Sequence, residues 1–139
     1  MIKKILFIKT HPSAKMPTKK YPSDAAYDLY AVESVYVYAN VPVVIPIGLK
    51  IQLPENCFAE IHTRSSQGMN NVRNHLGIID TNFRGEIGPI LISANDLDIH
   101  AGDKVAQLII KEKVPVEWVE VAKLEESDRG ENGFGSSGR

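Results

Sequence analysis

At 139 residues, 43% of them hydrophobic and 24% charged, the chain suits a single domain that buries about two thirds of its unfolded surface without disulfides or structural metals. Sixteen Lys and Arg against 17 Asp and Glu leave a net charge of −1, which excludes the strongly basic balance of a duplex nucleic-acid binder and leaves room for a small anion held by a few local cations. No run approaches the ~18 apolar residues of a membrane span. Cys57, the single cysteine, excludes an internal disulfide and points to a reducing, cytoplasmic setting for a soluble protein.

Lys3 and Lys4 ahead of an apolar stretch imitate a signal peptide, but Lys9 and His11-Pro12 interrupt the stretch after Ile5 to Ile8. It is too short for a signal-peptide core and reads as a first β-strand. Strand-like runs follow from Ser34 to Tyr38 and from Val41 to Ile45. Alternation then becomes strict, with Ile47, Leu49, Ile51 and Leu53 apolar at every second position. Pro54-Glu55-Asn56 supplies turn chemistry, and Phe58 to His62 resumes the pattern. Ser65 to Asn71 reads as a short helix or turn. Further strands are expected over Ile87 to Ile92, Val105 to Ile110 and Val116 to Val121. Eight prolines lie among these runs and no long stretch shows a 3.6-residue period. Many short strands spaced by turns predict an all-β fold, a β-sandwich or barrel. Residues 129–139 hold four glycines and one large apolar side chain, Phe134, and read as a mobile tail unless something docks it.

Five segments carry residue types suited to chemistry: AAYDLYA from Ala25, RSSQG from Arg64, NHLGIIDTNFRGEIG from Asn74, GDKVAQLI from Gly102 and RGENGFGSSG from Arg129. Each has a bland reading. Asp28 suits a solvated strand end, Ser65 and Ser66 suit a turn, Asp80-Thr81-Asn82 suits an Asx-turn, Gln107 suits a solvent-facing strand position, and the tail suits disorder.

Together and in this order, the segments resemble the five motifs of trimeric dUTPases, from residue 25 to residue 138. GIID-x-x-(aromatic)-RG, GD-(basic)-(aliphatic)-AQLI and RG-x-x-GFG-S-S-G are the specific ones. The resemblance implies a jelly-roll-like subunit over residues 1–128 and a nucleotide-clamping tail over residues 129–139. It also implies a homotrimer in which one subunit supplies the nucleotide-reading hairpin, its neighbour the first, second and fourth motifs, and a third the tail. The implied reaction hydrolyses dUTP to dUMP and pyrophosphate, which limits uracil in DNA and supplies dUMP, with no nucleic-acid or membrane partner.

Position by position, Asp80 matches the general base that deprotonates the water attacking the α-phosphorus. Gln107 matches the glutamine that binds this water and an α-phosphate oxygen. Phe83 stands where the family usually has tyrosine, as the ring under the deoxyribose that leaves no room for a 2′-hydroxyl. Asn74 matches a uracil-reading amide, alongside backbone groups that include Gly77 and Ile79. Arg64, Ser65 and Ser66 match the phosphate-binding second motif. Asp28 matches an aspartate that touches Mg²⁺ only through its waters, the ion being held mainly by substrate phosphates, so no direct protein ligand is expected. In the tail, Arg129, Ser136 and Ser137 match partners of the γ-phosphate, Phe134 a ring that stacks on uracil, and Gly135 part of a backbone nest. The chain departs from the family pattern at Ala26, Thr63, Asn82 and Asn132.

Two rival readings are weaker. A dCTP deaminase shares the fold and an RSS-type motif, but needs a glutamate where this chain reads Gly88-Pro89-Ile90-Leu91-Ile92. A catalytically idle nucleotide or protein binder has no need of Asp80, Gln107 and Arg129 together.

Overall fold

The structure, a computed structural model, describes residues 2–135. Its elements are β1 (Leu6–Lys9), β2 (Tyr27–Tyr30), β3 (Val35–Val37), β4 (Val43–Val44), β5 (Leu49–Gln52), β6 (Cys57–His62), α1 (Ser65–Met69), β7 (Val72–His75), β8 (Gly77–Ile79), β9 (Glu86–Ile87), β10 (Ile90–Ser93), β11 (Leu97–Ile99) and β12 (Lys104–Glu112). The strands pair antiparallel in four small sheets, ordered β1-β5-β9, β4-β10-β7, β11-β3 and β2-β12-β6-β8. The protein is all-β and jelly-roll-like, as expected.

Alternation explains how the sheets enclose one core. In β6 every second residue, Cys57, Ala59 and Ile61, is buried, and Ile47, Leu49, Ile51 and Leu53 turn the same way along the β5 segment. Leu29, Val37, Ile45, Leu91, Val105 and Leu108 complete the centre. No helix among the described residues is long and apolar enough to cross a membrane.

Most strands expected from sequence form with shifted ends, and proline interrupts two of the runs. Pro42 and Pro46 lack the N–H a ladder needs, so only Val43–Val44 remains of the run from Val41 to Ile45. Gly88-Pro89 divides the run from Ile87 to Ile92 into β9 and β10, and the Pro89 carbonyl there accepts the Ile45 N–H at 3.0 Å. The strand expected over Val116 to Val121 does not form. A strand exists only against a partner, and no described strand edge meets this one. Residues 114–124 lie exposed, with Trp118 at 94% of its full exposure.

One consequence of connectivity bears on the site. A single residue, Leu76, separates β7 from β8, which is too few for the two-residue turn that closes a hairpin. The two strands therefore join different sheets, β7 beside β10 and β8 beside β6. The segment from Asn74 to Phe83, expected as a hairpin, is a crossing from one sheet to the other.

Candidate active site

Register gathers one group of residues on the outer face of the four-stranded sheet. Gln107 in β12 stands opposite both Asp28 in β2 and His62 in β6, so the three side chains share a face while Leu108 and Ile61 point into the core. Lys104 lies an odd number of positions from Gln107 and by alternation belongs on the core side. A bulge between Lys104 and Ala106 corrects this: Val105 and Ala106 are both buried, and Lys104 pairs with Tyr30 on the outer face. There the Lys104 Nζ lies 3.4 Å from one Asp28 oxygen, and the Arg64 Nε donates to the other at 3.2 Å.

Arg64 follows β6 after Thr63 and caps the start of α1. Its N–H donates to the Gln67 Oε1 at 2.9 Å, and the buried Gln67 amide in turn donates to the Val105 carbonyl at 2.6 Å. This one glutamine holds the Arg64–Ser66 segment against the bulge, a role its place in RSSQG did not disclose. Ser65 and Ser66 stand exposed beside it. Arg64, Ser66, Asp103 and Lys104 line an open cavity of about 510 Å³. Gln107 is held by its Nε2 donating to the Thr63 carbonyl at 2.9 Å.

A second group lies on the sheet crossing. Gly77, Ile79, Asp80 and Phe83 line a cavity of about 230 Å³ with Glu86 and Gly88. Asp80 opens a turn closed by the Phe83 N–H donating to the Asp80 carbonyl at 3.1 Å, and Thr81 anchors that turn through its hydroxyl to the Cys57 carbonyl at 2.6 Å. The Asp80 carboxylate is exposed and accepts no hydrogen bond among the described residues. The Asx-turn reading would have tied it to its own backbone.

Asn74 sits between the groups. Its backbone N–H donates to the Thr63 Oγ1 at 2.7 Å, and its Nδ2 reaches the His62 carbonyl and the Gln67 Oε1, each at 3.4 Å. Its Oδ1 is buried without a partner among the described residues. Such an orphan acceptor is uncommon and suits an amide awaiting a donor.

Within the chain the two groups stay apart. Ile79 pairs with Ala59, and Ala59 with Ile110, whereas Gln107 pairs with His62. Asp80 therefore leaves its strand two strands across and some four residues along from Gln107, a separation on the order of 15 Å. In the tail, Arg129 donates from Nε to the Asn132 carbonyl at 2.7 Å, while Phe134 is fully exposed with φ of 52° and Gly135 follows at 83°. Among the described residues, nothing docks Arg129, Phe134 or Gly135 onto either cavity. Ser136 and Ser137 lie outside the described residues.

These motifs, set on this fold, agree with comparison to known proteins. The dUTPase family profile matches residues 12–138. The chain belongs to the dUTPase family. It is 39% identical to the deoxyuridine 5'-triphosphate nucleotidohydrolase of Clostridium novyi (strain NT), over 97% of this chain and 99% of that protein. It is 40% identical to the enzyme of the same name from Clostridium tetani (strain Massachusetts / E88), over 91% and 90%. Among solved structures, the Staphylococcus bacteriophage 80alpha dUTPase with dUpNHpp superposes with a TM-score of 0.92 at 23% identity, covering 99% of this chain and all of that one. A mutant dUTPase from phage phi11 of S. aureus, which coordinates a structural Mg(II) ion, superposes with a TM-score of 0.83 at 20% identity, over 89% of this chain and all of that one. These dUTPase structures share the jelly-roll-like subunit.

Proposed function

We propose that the chain hydrolyses dUTP to dUMP and pyrophosphate, limiting uracil in DNA and supplying dUMP in the cytoplasm. The observation that carries this reading is the Asp80 carboxylate, exposed and without a hydrogen bond among the described residues, in the cavity that Phe83 also lines, on a chain of the dUTPase family. A free carboxylate facing the ligand space is available to orient a water and take its proton as that water attacks the α-phosphorus.

Gln107 suits a supporting role. One Nε2 hydrogen is committed to the Thr63 carbonyl, which fixes the amide and leaves the second hydrogen for a phosphate oxygen and Oε1 for the water. Arg64, Lys104, Ser65 and Ser66 supply cations and hydroxyls for the phosphates beyond. Asn74, with its partnerless Oδ1, and the backbone of Gly77 and Ile79 read the uracil edge. Phe83 lies under the deoxyribose.

The donor set fits a magnesium ion held mostly by substrate. Arg64 and Lys104 each engage one oxygen of Asp28, so this carboxylate suits contact through metal-bound water rather than direct ligation. Magnesium would supply charge neutralisation on the triphosphate.

The separation of Asp80 from Gln107 supports a site completed between subunits of a homotrimer. So does residue span 114–124, whose Val114, Val116, Trp118, Val121 and Leu124 all lie exposed. Residues 1–128 act as the β domain. Residues 129–139 close over bound nucleotide, with Phe134 on the base and Arg129, Gly135, Ser136 and Ser137 on the γ-phosphate. Ordering eleven residues costs on the order of ten kcal/mol, so closure waits for substrate.

Pyrophosphate release with dUTP, UTP, dTTP and dCTP tests the reading. Turnover of dUTP alone is expected. Comparable rates on UTP would remove the role given to Phe83, and ammonia from dCTP would replace the reaction altogether.

A further inference from the structure

Gly85 lies two residues beyond Phe83, and the Phe83 ring occupies the space a side chain at Gly85 would need. A Cβ built on Gly85 would stand 2.5 Å from the ring's Cζ, 3.0 Å from Cε1 and 3.3 Å from Cε2. Carbon atoms in contact rest at ~3.5–4.0 Å. The Gly85 φ is outside the left-handed region, so the position demands room and not a backbone shape reserved for glycine.

An added methyl has two ways out, and they differ greatly in ease. Moving the backbone disturbs β9, which starts at the next residue and pairs Glu86 with Lys50 and Ile87 with Leu49. Moving the ring disturbs little, because Phe83 is 46% exposed and the crowded atoms are at its tip. The ring yields first. A methyl at residue 85 therefore changes where Phe83 points while leaving the sheet nearly intact.

We propose that Gly85 is a positioning residue for sugar selectivity: its bare backbone seats the Phe83 ring, and that seat sets how strongly a 2′-hydroxyl is refused. The inference rests on the reading of Phe83 as the ring beneath the deoxyribose. Added bulk at residue 85 displaces the ring from that seat, which blurs the distinction of dUTP from UTP.

The test is a double-mutant cycle on the full-length protein, reading the ratio of kcat/KM for dUTP to that for UTP in the wild type, Gly85→Ala, Phe83→Ala and the double variant. The expected result is a fall in the ratio of about tenfold or more in each single variant, within the ~10² that a pocket achieves against one added hydroxyl. In the Phe83→Ala background, Gly85→Ala should change the ratio less than about twofold. A fall with Phe83→Ala but none with Gly85→Ala overturns the role of Gly85 and leaves that of Phe83 standing. No fall in either overturns both. An equal fall from Gly85→Ala with and without the ring overturns transmission through the ring. NMR on the unsubstituted fold keeps the idea exposed even if Gly85→Ala folds poorly. The Gly85 Hα should carry a ring-current shift that disappears in Phe83→Leu, and a Hα indifferent to that substitution sinks the seat.

Discussion

The Asn74 N–H donates to the Thr63 hydroxyl at 2.7 Å, joining the start of the sheet crossing to the end of β6. The carbonyl of Thr63 receives Gln107, so Thr63 links the second, third and fourth motifs. Thr63→Val keeps the shape and removes the acceptor, leaving a part-buried N–H unsatisfied. A loss of about 1–3 kcal/mol is expected in urea unfolding, with Thr63→Ser retaining most of the stability. Equal stability of Thr63→Val and wild type would count against the linkage.

Asp80→Asn separates chemistry from binding. The carboxylate makes no structural hydrogen bond among the described residues, so its loss should leave the fold and dUpNHpp affinity nearly unchanged. Turnover of dUTP should fall by roughly 10²–10⁴. Loss of analogue binding in calorimetry would make Asp80 a structural residue.

Glu60 gives the protein an acid-sensitive contact. The Lys111 ammonium at 2.8 Å and the His62 ring at 3.0 Å hold its carboxyl below the ordinary carboxylate range. A depressed folded value stabilises above the unfolded value of about 4.3 and is lost as pH falls through the folded one. The stability difference between wild type and Glu60→Gln should therefore be constant near neutrality and shrink in acid. A difference independent of pH down to full protonation would show the pair contributes nothing through charge.

Truncation after Asp128 removes the tail, whose described residues, 129–135, take no part in the core. The shortened chain should melt within a few degrees of the full one and lose most dUTPase activity. Undiminished activity would refute closure by the tail.

Trp118, the sole tryptophan, reports on assembly. It is almost wholly exposed in one protomer. In a homotrimer that packs this arm between subunits its emission should be blue-shifted and shielded from acrylamide, reverting on dilution as sedimentation shows monomer. Red, fully quenchable emission from a trimer would place the arm in solvent.

Much of the fold was legible because alternation is local: Ile47 to Leu53 and Phe58 to His62 state their buried face outright. The strands that alternation does not declare, β2, β7, β8 and β11, are three or four residues long and carry polar or glycine positions such as Asp28, Asn74 and Gly77. Only their partners make them strands. Val116 to Val121 shows the converse, a good strand pattern that finds no edge in its own protomer.

The sequence alone was sufficient for the family and the candidate residues, because motif identity and order are properties of the chain. Which of those residues meet depended on register. The bulge at Val105 turns Lys104 toward Asp28, Gln67 ties the serine loop to that bulge, and the one-residue link at Leu76 sends Asp80 away from Gln107. Those outcomes arise from pairing between distant strands, where a shift of one residue reverses a side chain's face, and no local pattern encodes that.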